Sequence, residues 1–187
     1  LIRRLFPDGF PPPEPAPSGS WRSALLAAFG LAVLMVFLYW PAVDFRLLSF
    51  DDQYYTQNAL VSEGLNDANI VRVFTELPEE DLFIPLTRLS FMVDVELFGM
   101  APRGFHFTNI VLHAIDMALL LLVLWRMTGS LGKSALAAAL VAFHPLRVES
   151  VAWVTERKDV LSVFFLLLSL SCYLRYARTR KMGWHVA

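Results

Sequence analysis

The chain has a single cysteine, Cys172, in 187 residues, which excludes a disulfide framework. Charge is also scarce. Charged residues make up 18%, whereas a soluble domain averages about 25%. Neither sign dominates: 16 Lys+Arg stand against 17 Asp+Glu, a formal net charge of −1. No global field therefore exists to recruit DNA or RNA, and no nucleic-acid partner is expected. Internal repeats are lacking as well. What the chain has in quantity is apolar surface. Hydrophobic residues reach 56% and mean hydropathy is +0.51, so the composition is that of an all-α integral membrane protein.

Proline is concentrated rather than rare. Six of the 11 prolines lie in 7–20, PDGFPPPEPAPSGS. Such a stretch cannot form a helix or pack a core, and 1–20 reads as a Pro-rich cytoplasmic tail. The remainder, 21–187, reads as the N-terminal part of a polytopic domain. The chain starts at Leu1 and stops just after a basic stretch, which suggests a fragment.

Four spans are expected. The first, about 22–43, has no charged or strongly polar residue from 24 onward and is flanked by Trp21, Tyr39 and Trp40, rings suited to the membrane interface. The others are placed at about 106–126, 134–145 and 160–177. The third is short, and Pro145 ends or kinks it. The connections are a long one, 44–105, and a shorter one, 146–159. Placing both ends and the 126–133 turn together gathers nine basic residues on one side, with Asp8 and Glu14. The opposite side has seven basic and fourteen acidic residues. By the positive-inside rule both ends are cytoplasmic and both connections face out.

Three groups of polar residues stand out. Asp51 and Asp52 are adjacent carboxylates near a low-dielectric boundary, where mutual repulsion raises one pKa and suits a general base. A helix N-cap or solvated turn explains them equally simply, and on pattern alone weighs more. In the 146–159 connection, Arg147, Arg157 and Lys158 could hold a lipid phosphate at headgroup level, or could only anchor the interface in pairs with Glu149, Glu156 or Asp159. In the second span, His106, Asn109, His113 and Asp116 are spaced 3, 4 and 3 and fall on one stripe. Polar residues in a membrane helix face the bundle interior, so a structural hydrogen-bond network is the expectation, with no metal site because no third ligand is indicated. The long connection is rich in Phe, Leu, Met and Val, and 86–98 has an amphipathic helical pattern with Arg88 and Asp94 off the apolar face. Two short helices along the membrane surface are expected there. Cys172 reads as a small buried hydrophobe.

An ordered set of short motifs carries a resemblance: Phe50-Asp51-Asp52-Gln53-Tyr54-Tyr55, Pro85-Leu86-Thr87-Arg88-Leu89-Ser90, Asp94, Leu97-Phe98-Gly99, His106-Phe107-Thr108-Asn109, Leu112-His113, His144-Pro145, Val148-Glu149-Ser150-Val151-Ala152-Trp153 and Glu156-Arg157-Lys158-Asp159. Over about 50–178 the chain resembles the N-terminal membrane part of bacterial proteins similar to the transmembrane and tetratricopeptide-repeat O-mannosyltransferases, glycosyltransferases of the GT-C type. The resemblance implies a fragment of a GT-C-like helical bundle in the inner membrane. It implies a polyprenyl-phosphate sugar as donor, a protein or glycan hydroxyl as acceptor, inversion at the anomeric carbon and no cofactor. Asp51 or Asp52 would be the base. Arg147, Arg157, Lys158 and His144 would face the donor phosphate, with Glu149 and Asp159 orienting. The chain departs from the family at Phe83-Ile84, at Asp116, where Asn is usual, and at Arg147, where His is common. Two other readings use the same residues: a scaffold that anchors tetratricopeptide repeats, which needs neither charged group, and part of a transporter, which needs His113 and Asp116 along a wet path.

Overall fold

The computed structural model describes residues 20–48, 51–76 and 82–179. Apart from Ser20, the Pro-rich tail lies outside them, as do Phe50, Arg180 and Lys181. Among the described residues there are only helices, turns and irregular connections, so the architecture is an all-α membrane bundle.

Helix α1 (Trp21–Tyr39) is started by Ser20, whose hydroxyl accepts from the Arg22 N–H at 3.1 Å. It runs into a 3-10 turn, Trp40–Asp44. Three short helices follow in the long connection: α2 (Asp52–Thr56), α3 (Ala59–Ser62) and α4 (Asp67–Thr75). Asn58 and Asn66 cap the last two through their side-chain oxygens. Helix α5 (Pro85–Phe98) then leads to the longest element, α6 (Pro102–Thr128). Both begin with proline at the first turn, where its missing N–H is no loss. Gly129, at φ +69°, closes α6 in the left-handed conformation. Helix α7 (Leu131–Ala142), helix α8 (Arg147–Ala152), a 3-10 turn at Val154–Glu156 and helix α9 (Arg157–Thr179) follow.

Among the described residues three stretches are long and apolar enough to cross a membrane: Trp21–Asp44, Pro102–Thr128 and Val154–Arg178. The span expected over 134–145 is different. Helix α7 has 12 residues, about 18 Å at 1.5 Å per residue, and a bilayer core is about 30 Å thick. The chain breaks at His144-Pro145 and continues as α8. Thr128 pairs with Ser134 at one end of α6 (3.0 Å), and the Asn109 amide donates to the Trp153 carbonyl (3.2 Å) near the other. A broken α7–α8 return thus covers the length that one helix was expected to cover.

Helix α6 is the central post. Its partners α1, α7 and α8 close on it through Ala28, Leu31, Met35, Ala114, Met117, Leu121, Ala138, Ala142 and Val151. Alanines recur at these contacts, and small residues let helix backbones approach where lipid provides no hydrophobic drive. Rings mark both ends. Trp21 packs edge-on against Trp125 at 4.8 Å with Arg126 over its face, and Trp40 meets Phe107 at 6.5 Å. Arg178 donates to the Arg126 carbonyl and ties the end of α9 to that of α6.

Candidate functional site

The two connections are held together by Asp52. It heads α2 and is wholly buried. Its Oδ1 accepts from the Thr155 N–H (2.9 Å) and hydroxyl (2.6 Å), and its Oδ2 accepts from the Leu48 N–H (2.9 Å). Thr56 donates to the Asp52 carbonyl at 2.6 Å, which fixes the single turn of α2. Both carboxylate oxygens are therefore occupied, one from each connection. Asp51, one residue earlier, is only half-buried, and its carboxylate has no hydrogen-bond partner among the described residues. Among the described residues, two adjacent residues of the same type are thus divided into a fixed anchor and an acid without a partner.

Arg157 is also diverted inward. It is 0% exposed. Its Nε donates to Asn109 Oδ1 at 2.7 Å, one terminal nitrogen donates to the Phe105 carbonyl at 2.7 Å, and the other pairs with Asp94 and reaches Ser90. The guanidinium also lies over the Phe91 ring, 4.4 Å from its centre. Asp94 takes a second bond from the Thr108 hydroxyl at 2.6 Å. Burial pushes the Asp94 carboxyl above its ordinary range, with Arg157 and Thr108 pulling against it. Each nitrogen of Arg157 is committed to the protein, so the expected phosphate contact from this residue is corrected: it is the rivet that joins α5, α6 and α9. Lys158 is partly exposed and pairs with Glu156 at 2.7 Å.

Arg147 and His144 stand on the break between α7 and α8 and line a cavity of about 520 Å³ with Leu140, Val141 and Leu146. His144 is exposed and uses Nδ1 to accept from the Leu146 N–H at 3.3 Å. Glu149 lines a second cleft, also about 520 Å³, with Phe45, Arg46, Leu48, Val148, Ala152 and Trp153. This cleft adjoins the acidic pair, because Leu48 is the residue whose N–H holds Asp52. A third hollow, about 390 Å³, shares Phe45, Val148 and Ala152 with it and continues past Tyr39 and Phe143. Together the two form a lane from the charged rim down the side of the bundle. Asp159 is exposed at the start of α9.

The polar stripe of α6 is buried throughout: His106, Asn109, His113 and Asp116 are each 4% exposed or less. Among the described residues Asn109 carries most of the expected network, through Arg157 and the carbonyls of Trp153 and Val154. His113 Nε2 and Asp116 Oδ1 have no partner among the described residues, and the His113 ring packs on Tyr39 at 5.4 Å. Cys172 is half-buried rather than buried.

The sequence reading missed Arg46 and the particular part of Thr155. Arg46 is a lone cation five residues before Asp51, a proximity that could have marked it. Thr155 had no signal, since its role depends on a partner 103 positions away.

No family model matches the chain, and no solved structure does. Curated proteins do. The chain is 35% identical over 96 residues, 51% of its length, to the protein O-mannosyl-transferase tmtc2 of Xenopus laevis. It is 38% identical over 100 residues to Tmtc2 of Drosophila melanogaster and 37% identical over 116 residues to TMTC4 of Homo sapiens. These stretches cover 12%, 11% and 16% of the relatives. The chain is related to the protein O-mannosyl-transferases and spans a small part of their length.

Proposed function

We propose, on the premise of that relatedness, that the chain is the N-terminal membrane part of a GT-C-type glycosyltransferase. It transfers a sugar, with mannose the first candidate, from a polyprenyl-phosphate donor to a protein or glycan hydroxyl. The observation that carries the reading is the division of the acidic pair beside an amphiphile-shaped lane. Among the described residues the Asp51 carboxylate has no partner, while Asp52 is fixed by both connections.

In this scheme Asp51 takes the proton of the acceptor hydroxyl as its oxygen attacks the anomeric carbon. The bond from that carbon to the phosphate oxygen breaks on the opposite face, and the configuration inverts. The phosphate leaves with the electron pair, and nearby cations stabilise its charge. Arg147, His144 and Arg46 are the groups to which this role is assigned. Glu149 and Trp153 face the sugar end of the lane, and the polyprenyl tail follows the Tyr39 and Phe143 side. The scheme uses no cofactor. Charge distribution supports an inner-membrane setting with both ends of the chain cytoplasmic, and chemistry on the other face.

The test uses the full-length parent protein in membranes, supplied with radiolabelled polyprenyl-phosphate mannose. Asp51→Asn is expected to reduce transfer about 10²–10⁴-fold, the usual contribution of a general base, with thermal stability unchanged. Undiminished transfer by Asp51→Asn sinks the base assignment. No transfer by the unaltered protein with any of several sugars favours the scaffold reading.

A further inference from the structure

The end of the bundle opposite the long connection gathers charge of one sign. Helices α1, α6 and α9 meet there. Arg126, near the end of α6, has its guanidinium 4.9 Å from the centre of the Trp21 ring, and Trp21 packs edge-on against Trp125. Arg178, near the end of α9, donates to the Arg126 carbonyl. The charges of Arg175 and Arg178 both act on that of Arg126. Three guanidinium groups from two helices thus share one seam, where like charges repel.

Carboxylates do not offset them locally. The stretches 20–43, 117–142 and 160–179 contain no Asp or Glu. Neither Arg126 nor Arg178 has an ion-pair partner among the described residues. Helices α6 and α9 both end at this face, and a helix C-terminus carries about half a negative charge. Two such ends offset about one of the three positive charges. The buried Trp125 Nε1 is a further donor without an acceptor among the described residues. The seam is therefore rich in donors and positive charge and short of anions.

Depth and surroundings identify the anion. Arg126 lies two residues from the end of the Pro102–Thr128 stretch, and Arg178 closes the Val154–Arg178 stretch. Both stand within about 3 Å of a span end at 1.5 Å per residue. That is headgroup level, as the Trp21–Trp125 pair also indicates. Toward the membrane interior from Arg175, the residues Cys172, Leu168 and Phe165 follow a spacing of 3, 4 and 3, which places them with it on one stripe of α9. Phe165 and Leu168 are exposed and Cys172 is half-buried. A free phosphate would need the charges alone. An apolar stripe that continues from them into the membrane matches a phosphate with an acyl chain attached.

We infer that Arg126, Arg175 and Arg178 bind the phosphate of an anionic phospholipid, whose acyl chain runs along the Phe165–Leu168–Cys172 stripe of α9. The site is on the membrane face opposite Asp51 and does not depend on the reaction performed. Its lipid joins α6 to α9 at the end where their own charges repel.

Native mass spectrometry of the full-length protein, supplied with equal amounts of phosphatidylglycerol and phosphatidylcholine, counts the lipids that stay bound. The unaltered protein is expected to prefer phosphatidylglycerol at one site. Arg175→Gln and Arg178→Gln are each expected to lower that preference about fivefold, the worth of one cation beside anionic lipid, while Arg175→Lys keeps it. Arg103→Gln, at the other face, where Arg103 pairs with Asp44, is expected to leave it unchanged. Equal preference in the Gln variants and the unaltered protein overturns the inference. So does an absence of preference in the unaltered protein, which indicates that a carboxylate elsewhere in the parent chain meets the charge. Displacement of the lipid by inorganic phosphate at matched concentration also overturns it, since that indicates a site for the free anion. Should the variants fail to fold, unaltered protein is photolysed in nanodiscs with a diazirine-acyl phosphatidylglycerol. Adducts concentrated on 165–172 support the inference. Adducts spread equally over the spans, or equally frequent with the phosphatidylcholine analogue, overturn it.

Discussion

Arg157 and Asp52 show how a buried charge is retained only when every polar atom finds a partner. Removing one member of a buried ion pair costs about 3–5 kcal/mol, because the other charge is left desolvated. Asp94→Ala is therefore expected to destabilise the protein by that amount, read as the shift of thermal unfolding in detergent. Arg157→Lys is expected to be almost as harmful, since an ammonium cannot serve Asn109, Phe105 and Asp94 from three planar nitrogens. Asp52→Asn makes a sharper test. Its oxygen can still accept from Thr155, but its NH₂ would face the Leu48 N–H, donor against donor. A loss of about 1–3 kcal/mol follows for the unsatisfied group, whereas Asp51→Asn is expected to leave unfolding where it was. Equal stability losses in the two Asn variants would contradict the division of the acidic pair.

At the scale of elements, local sequence decides where helices start and stop, and packing decides what they face. Prolines at 85 and 102, asparagines at 58 and 66 and Gly129 all stand where helix-end chemistry wants them. Gly64 joins α3 to α4 at φ +72°, against the Glu96 side chain of α5. An alanine there meets both backbone strain and that side chain. Gly64→Ala is expected to cost about 1–3 kcal/mol and to loosen α3 and α4 first. Limited proteolysis should detect new cleavage in 59–75 before any in the spans. The pattern of 86–98 announced a helix, but Arg88 and Asp94, expected off its apolar face, are buried beside Phe91 and Met92. It could not say that the apolar residues would divide, with Phe91 and Met92 taken into the lobe and Leu86, Val93 and Leu97 left outside. Nor could length alone show that the return past α6 is made by two short helices around His144-Pro145.

For the whole molecule, the consequential contact is the one between the two connections. Asp52 and Thr155 are 103 residues apart, yet they fix the two connections beside the cleft that Arg46 and Glu149 line. A small cluster of Val61, Phe91, Phe105 and Val154 lies beside that contact. Thr155→Val removes the hydroxyl but keeps the backbone bond. Its expected effect is about 0.5–1.5 kcal/mol, or more because the acceptor is charged. Amide exchange should show the change as faster exchange over 51–58, with α6 unaffected. Uniformly faster exchange across the bundle would mean that the latch is not local.

The sequence by itself determined the membrane class, the spans of α1, α6 and α9, the stop at Pro145 and the inward turn of the α6 stripe, while the fourth span it announced over 134–145 is a broken return. These follow from residue type and short-range spacing, since apolar run length and helical period act over a few turns. Only the tertiary structure decided which charges remain available. Asp51 and Asp52 are indistinguishable in a local reading, as are Arg147 and Arg157. They separate once Leu48 and the distant partners Thr155, Asn109 and Asp94 close around one of each pair and desolvate it, because a charge is withdrawn from chemistry by the groups that surround it rather than by its place along the chain.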